Sequence, residues 1–291
     1  MKYFKRFIKW FVGILLLLIA VAYLTDYDYI LKGVRVVYFT GHTTAFIDDH
    51  VYFENDTIQA APQRQPWPSH SQLNNEPPTE TLRETHDEFG TVAFLIIKND
   101  SIWHELEQAV GDFFPKFKKT GLTVGDLSSM ASGLDWEESY TSPFSITARS
   151  YYDDDLAETI LGLEVTETPG ESFKYLSGNT QLLGMVIQKA TGTPLADYLE
   201  QTLWQPMGAV QPALWQVDDD ENRLVKAYCC IASNARDFAR LGKLYKDYGN
   251  WNGERLLDST FVAQSIQPRF EESPEYGYGF WLSDHLDKKI A

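Results

Sequence analysis

The sequence is poor in cysteine, poor in cations, and empty of the common short catalytic signatures. Its two cysteines, Cys229 and Cys230, are adjacent. Neighbouring residues do not readily meet ordinary disulfide geometry, so no structural bridge is expected; two packed thiols are the favoured reading, with a redox-active vicinal pair as the other. A chain of 291 residues is long enough to rely on an apolar core instead. Lys and Arg number 25 against 41 Asp and Glu, a formal net charge of −16, and the first ten residues hold four of those cations and no acid. Such a field repels polyanions and no basic stripe offsets it, which excludes nucleic acid as a partner. There is no G-x-S-x-G elbow, no H-E-x-x-H, and no glycine-rich phosphate loop. The six histidines never pair at ligand spacing, and Asp48-Asp49-His50 reads as a solvated acidic turn rather than a metal cluster. No cofactor and no metal site is expected. With 44% apolar and 23% charged residues, the composition also excludes a disordered, collagenous or coiled-coil chain.

What the sequence does hold begins at its start. Lys2, Lys5, Arg6 and Lys9 precede an uncharged run from Trp10 to Thr25, the pattern of an export signal. As a helix that run rises roughly 24 Å, a little short of a hydrocarbon core of ~30 Å. Ala20-Val21-Ala22 has the small-x-small form of a cleavage site, which favours a removed signal peptide. Trp10 and Tyr23 bracket the run as interfacial anchors do, and the balance leans to a retained membrane anchor. In both cases the chain after Asp26 is expected outside the cytoplasm, on the periplasmic side.

The rest divides into an N-terminal segment, 26–90, and a main domain, 91–291. Val34, Val36 and Tyr38 alternate with their neighbours and Val51-Tyr52-Phe53 follows an acidic turn, so strands are predicted within 30–60. Residues 60–88 carry five of the thirteen prolines and read as an extended connector. Thr91–Ile97 reads as a buried strand, with a return strand beginning at Ile102. From there the period is helical. Thr123 caps a short helix with Asp126 as reciprocal partner, and a second helix runs from Asn179 to Ala190. Thr193-Pro194 opens a third, with Leu195, Tyr198, Leu199 and Leu203 buried. Ser233 caps a fourth, Asn252-Gly253 makes a hairpin turn, and Tyr276–Leu282 is an aromatic strand. Strands at both ends with helices between imply an α+β domain, its antiparallel sheet built from N- and C-terminal strands and flanked by a helical region. The acidic runs Asp153–Asp155 and Asp218–Glu221 read as solvated loops.

Six blocks recur in a telling order: Asp112-Phe113-Phe114-Pro115; Met130-Ala131-Ser132-Gly133-Leu134-Asp135-Trp136; Pro169–Gly184; Leu203–Gly208; Ala235–Gly242; and Trp251-Asn252-Gly253. Together they resemble the serine β-lactamase-related family, which includes class C β-lactamases, DD-peptidases, esterases and 6-aminohexanoate-dimer hydrolases. The resemblance implies the β-lactamase/transpeptidase-like fold and an acyl-transfer chemistry on amide or ester carbonyls. A hydroxyl is a poor nucleophile until a base removes its proton, and the developing oxyanion needs backbone donors, hence the family's three elements: Ser-x-x-Lys, Tyr-x-Asn and a Lys-Thr-Gly strand.

Only the second element is recognisable. Tyr175-Leu176-Ser177 takes the place of Tyr-x-Asn, with Ser in the last position as in the amide-hydrolase and esterase branch, so Tyr175 and Ser177 are the candidate site residues. The positive end of the following helix would mildly favour phenolate at Tyr175. No lysine in the chain has serine or threonine three residues before it, so Ser-x-x-Lys is absent. The expectation is an internal deletion near 105/106, a shortened C-terminus lacking the third element, and a family member that does not turn over as given. Lys119-Thr120-Gly121 matches the third element in letters but precedes Ser132-Gly133-Leu134, where the family has a surface turn. The alternative is a non-catalytic extracytoplasmic module binding peptidoglycan-like or peptide ligands, its groove lined by Ser139–Phe144. Partners on either reading are a small amide, ester or peptide molecule and, through the N-terminal helix, a membrane.

Overall fold

In the computed structural model, residues 2–42, 46, 48–65, 108–285 and 288–290 are described. The predicted strands at 91–97 and 102–104 and most of the proline-rich connector lie outside them. The chain forms two compact units, each assembled from separated segments: 1–56, 109–190 and 216–230 in the first, 57–108, 191–215 and 231–291 in the second.

The first unit opens with α1 (Lys2–Leu24), whose stretch Tyr3–Leu24 has a mean hydropathy of 2.4 and is long and apolar enough to cross a membrane. It is followed by α2 (Tyr29–Thr40), where the sequence predicts a strand. The inward residues are Tyr29, Gly33 and Val36, a helical spacing that overrides the short-range alternation of valines. At Gly33 an added Cβ would lie 3.2 Å from the Tyr152 ring, tighter than ordinary contact, so the glycine lets the helix sit close to that ring. Asp49–Tyr52 is a 3-10 turn instead of the expected strand, and the strand β1 follows at Asn55–Ile58.

The core of this unit gathers Phe117, Leu122, Leu127, Leu134, Trp136, Leu156, Ile160, Leu176 and Leu182. Around it run α3 (Val124–Ser128), α4 (Ile146–Tyr152), α5 (Leu156–Gly162) and the long α6 (Ser177–Thr191). The capping box read from Thr123 and Asp126 is present: each side chain accepts the other's backbone N–H. Lys119-Thr120-Gly121 is a turn, with Thr120 Oγ1 donating to the Phe117 carbonyl and Gly121 at φ +75°. The acidic run at 218–221 is only partly solvated: Asp218 is buried and accepts backbone N–H groups from Leu224 and Asp219, which holds the loop closed.

The second unit contains β2 (Ala213–Gln216), paired antiparallel with β3 (Ile231–Ala232). Here α7 (Leu195–Leu199) runs into a π-helical turn, Glu200–Trp204, and Tyr198 is exposed rather than buried as predicted. The next helix, α8 (Ala235–Lys246), is capped by Asn234, one residue beyond the predicted Ser233. Within it the buried pair Asp237 and Arg240 explains one of the sequence blocks. Asp237 accepts backbone N–H bonds from Val210 and Gln211 at 3.0 and 2.9 Å and a side-chain bond from Arg240. Burial alone would raise its carboxyl pKa, but those bonds and one from Asn234 outweigh it and hold it low. The predicted hairpin stands: β4 (Asn250–Trp251) and β5 (Glu254–Arg255) pair across Asn252 and Gly253, both at positive φ. After α9 (Ser259–Ser265) the predicted aromatic strand is a turn closed by a single Tyr276–Trp281 bridge. Two glycines inside it, one at φ +78°, favour a bend over an extended run. A terminal pair, β6 (Ser283–His285) and β7 (Lys288–Ile290), is antiparallel.

One buried lysine ties the first unit together. Gln181 of α6 donates to the Val225 carbonyl and accepts from the Ala227 N–H, pinning the chain on both sides of Lys226. The Lys226 ammonium donates to the Tyr151 carbonyl at 2.7 Å and lies 4.4 Å from the Phe53 ring centroid. Burial, and then the charge of Lys32, lower its pKa from 10.5 to about 7. Between those two values the unfolded chain holds a proton that the folded chain lacks, so stability rises with pH across that window. Below the folded value both states are protonated and the cost of burying the charge is at its full size. Urea unfolding should therefore give a free energy that climbs from pH 7 to pH 10, by at most about 1.4 kcal/mol per unit. Lys226→Met should remove that climb; parallel pH profiles for the two proteins would refute the assignment.

Candidate active site

The site grows from the joint between two sequence blocks. Lys174 donates its backbone N–H to the Met130 carbonyl at 2.7 Å, and Gly170 donates to Ala131 at 2.8 Å, so 169–175 lies along 130–132. Ser132 Oγ donates to Asn179 Oδ1 in the first turn of α6. At Gly178 an added Cβ would lie 2.7 Å from the buried Trp136 ring, so only glycine lets the helix start settle against that tryptophan. These contacts place Tyr175 and Ser177 on one wall of a cavity of about 370 Å³ inside the first unit.

Both predicted site residues line this cavity. Ser177 is buried, and Tyr175 is about one-third exposed. The polar anchor between them is Glu138, which sequence reasoning did not single out. Its carboxylate accepts the Ser177 N–H at 2.7 Å and the Ser177 Oγ–H at 2.8 Å, and also the Tyr140 hydroxyl at 2.6 Å. No local spacing signals it, because the partners are 39 residues apart. The loop Ser139–Phe144 contributes as expected in part: Ser139 and Tyr140 line the cavity, whereas Phe144 points away and is exposed. Opposite walls come from Val36, Phe46 and Phe53. Asp49 is turned inward to accept from Tyr151 and Gln216, not solvated as the sequence reading has it.

The phenols are held protonated. Burial, with the Glu138 charge behind it, pushes the Tyr175 pKa up. Burial, then the hydrogen bond to Glu138 and its charge, raise Tyr140 to about 12. The expectation that the helix start favours phenolate at Tyr175 is thus corrected: the fractional positive charge of a helix end is outweighed by desolvation and a full carboxylate charge nearby. Of the two phenols, Tyr140 gives its proton to Glu138, which leaves the Tyr175 hydroxyl as the group suited to a neutral acceptor. Among the described residues, no group of three or more His, Cys, Asp or Glu side chains is placed to hold a metal ion.

The cavity also contains the second correction. Cys229 and Cys230, read as packed thiols, are joined in a vicinal disulfide. Cys230 sits at φ +71°, off the extended path on which neighbouring side chains point to opposite faces, and the bend brings the two sulfurs together. The segment is fixed by Cys229 N–H to the Lys226 carbonyl and by Gln216 N–H to the Cys230 carbonyl.

Comparison with known proteins agrees with this scaffold. The Beta-lactamase family model matches residues 100–289. The 6-aminohexanoate-dimer hydrolase of Paenarthrobacter ureafaciens is 27% identical over 190 residues, covering 61% of this chain and 47% of that protein. Protein flp of Staphylococcus aureus is 30% identical over 108 residues, 35% of this chain and 21% of its own. The chain spans about half the length of the first of these curated relatives and less of the second. Among solved structures, a Bacillus anthracis protein assigned as a 6-aminohexanoate-dimer hydrolase superposes with a TM-score of 0.58 at 18% identity, covering 84% of this chain and 79% of that one. A penicillin-binding protein from Bacillus halodurans gives 0.50 at 15%, covering 64% and 63%. These last two speak for the fold alone. With a family match over most of the chain, the α+β architecture in place, and the Tyr175–Ser177 block on a cavity wall, the chain belongs to the β-lactamase family.

Proposed function

We propose that this chain uses the family's acyl-transfer pocket to bind an amide or ester carbonyl compound and forms no acyl-enzyme. The observation that carries this reading is the commitment of the Ser177 N–H and hydroxyl to Glu138, beside Tyr175, in a sequence with no Ser-x-x-Lys. In a serine acyl-transfer site the tyrosine shares the nucleophile's proton with a neighbouring amine, which demands an easily ionised phenol. Here burial and Glu138 act in the opposite sense, and the sequence has no Ser-x-x-Lys to supply hydroxyl and amine. The Tyr175 hydroxyl suits a neutral carbonyl oxygen, whereas the Tyr140 proton is already given to Glu138; the aromatic side chains of the cavity suit the apolar flank of such a ligand. A peptide or peptidoglycan-like fragment carries the same carbonyl chemistry and is the second ligand class. We place the chain outside the cytoplasm, anchored by α1, because four cations stand in the first turns of that helix ahead of its uncharged run and the rest of the chain is acidic.

Two measurements test this reading. Treated with a fluorophosphonate or a fluorescent penicillin, the chain should show no covalent label; stoichiometric, saturable labelling of any serine would refute the proposal. Binding of a short N-acetyl amide, followed by tryptophan fluorescence, should weaken several-fold in Tyr175→Phe, about 1 kcal/mol for a lost hydrogen bond. Equal affinity in the variant would remove Tyr175 from the site.

The electrostatic account has its own check. Glu138→Gln keeps the shape of the side chain and removes its charge, so the Tyr140 phenol should titrate below its native value of about 12. Alkaline absorbance titration, with Tyr140→Phe subtracted, reads that shift. An unchanged titration would assign the elevation to burial alone.

A further inference from the structure

The base of α1 and the rim of the cavity belong to the same small patch. Thr25 and Tyr27 donate their backbone N–H groups back to Val21 and Ala22 at 3.0 and 2.9 Å, so the chain stays within the last turn of α1 as it leaves the helix. The Tyr27 ring then meets the edge of the Phe144 ring, centroids 6.0 Å apart. Arg149 pairs with Asp26 and covers the Tyr29 ring, fastening this joint to α4 without a free linker. Phe144 nevertheless remains 70% exposed. Four and five residues before it on the same loop, Tyr140 and Ser139 line the cavity.

Lengths decide what covers that aromatic patch. The candidate span Tyr3–Leu24 carries Lys5, Arg6 and Lys9 in its first turns, and its uncharged run from Trp10 rises roughly 24 Å against a hydrocarbon core of ~30 Å, so the cations mark one boundary and the end of the helix the other. Leu24 therefore stands at the hydrocarbon boundary when α1 spans a bilayer. Tyr27 and Phe144 then fall in the headgroup layer, about 5–7 Å thick on each side, where aromatic rings concentrate. Besides Tyr175 and Ser177, the cavity lining includes the apolar side chains of Val36, Phe46 and Phe53, together with the polar His42 and Asp49.

We propose that the loop 139–145 is a membrane-facing rim and that the cavity takes amphiphiles presented by the bilayer, the acyl chain against Val36 and Phe53 and the amide or ester head at Tyr175 and Ser177. The inference rests on the binding reading above and narrows its ligand class. The acids around the joint argue for a zwitterionic rather than an anionic surface: Asp26 and Asp153 are both paired to Arg149 and Asp154 to Lys32, while Asp28, Asp219, Asp220 and Glu221 lie in the same patch.

The test uses the full chain reconstituted in phosphatidylcholine vesicles. Phe144→Trp should be quenched by brominated phosphatidylcholine beyond the quenching of the native tryptophans; no added quenching overturns the interfacial placement. Binding of an N-dodecanoyl amide should exceed that of the N-acetyl amide by tenfold or more, since each buried methylene contributes about fourfold. Phe144→Asp should slow uptake of the dodecanoyl amide from vesicles several-fold and leave N-acetyl amide binding unchanged. Equal affinity for the two chain lengths, or unchanged uptake in Phe144→Asp, overturns this inference while the binding reading stands. Binding of neither amide overturns the binding reading and this inference with it.

Discussion

A single carboxylate organises the candidate site. Glu138 receives the backbone and side-chain protons of Ser177 and the hydroxyl proton of Tyr140, so it fixes the entry of α6 and the 139–145 loop at once. After burial, its charge is a further cause of the upward pKa shifts of Tyr140 and Tyr175.

The blocks that carry the family resemblance are, in this structure, mostly joints. Met130–Trp136 and Pro169–Gly178 interlock through two backbone bonds, the Ser132–Asn179 bond and the glycine that lets Trp136 approach. Ala235–Gly242 contains the buried Asp237–Arg240 pair, whose carboxylate satisfies two loop N–H groups and whose guanidinium caps the Met207 carbonyl. Breaking one member of such a pair leaves a buried charge uncompensated, commonly a loss of 3–5 kcal/mol. A scaffold of this kind holds its sequence pattern for reasons of folding, independent of whether the chemistry it frames is in use.

Local signals were the legible ones. The Thr123–Asp126 capping box and the Asn252-Gly253 hairpin follow from side chains three residues apart or from two adjacent backbone angles, and both stand in the structure. The segment 29–40 misled because the alternation Val34, Val36, Tyr38, five residues long, imitates a strand, whereas its helical period only emerges over the wider spacing of Tyr29, Gly33 and Val36. Tyr175 and Ser177 were legible through their block, but Glu138 was not, since a hydrogen bond spanning 39 residues leaves no periodic trace. The same holds for Lys226, whose burial depends on rings from Phe53 and Tyr151 contributed by distant parts of the chain.

The vicinal disulfide gives the cavity wall a covalent hinge pin. Joining adjacent residues closes a small ring through the peptide between them, and that ring keeps Cys230 in a left-handed backbone conformation that an unlinked cysteine would rarely hold. A purification buffer carrying a thiol reductant would open the ring and release that backbone. Ligand titrations made with and without reductant would then interrogate two differently shaped chambers under one sequence.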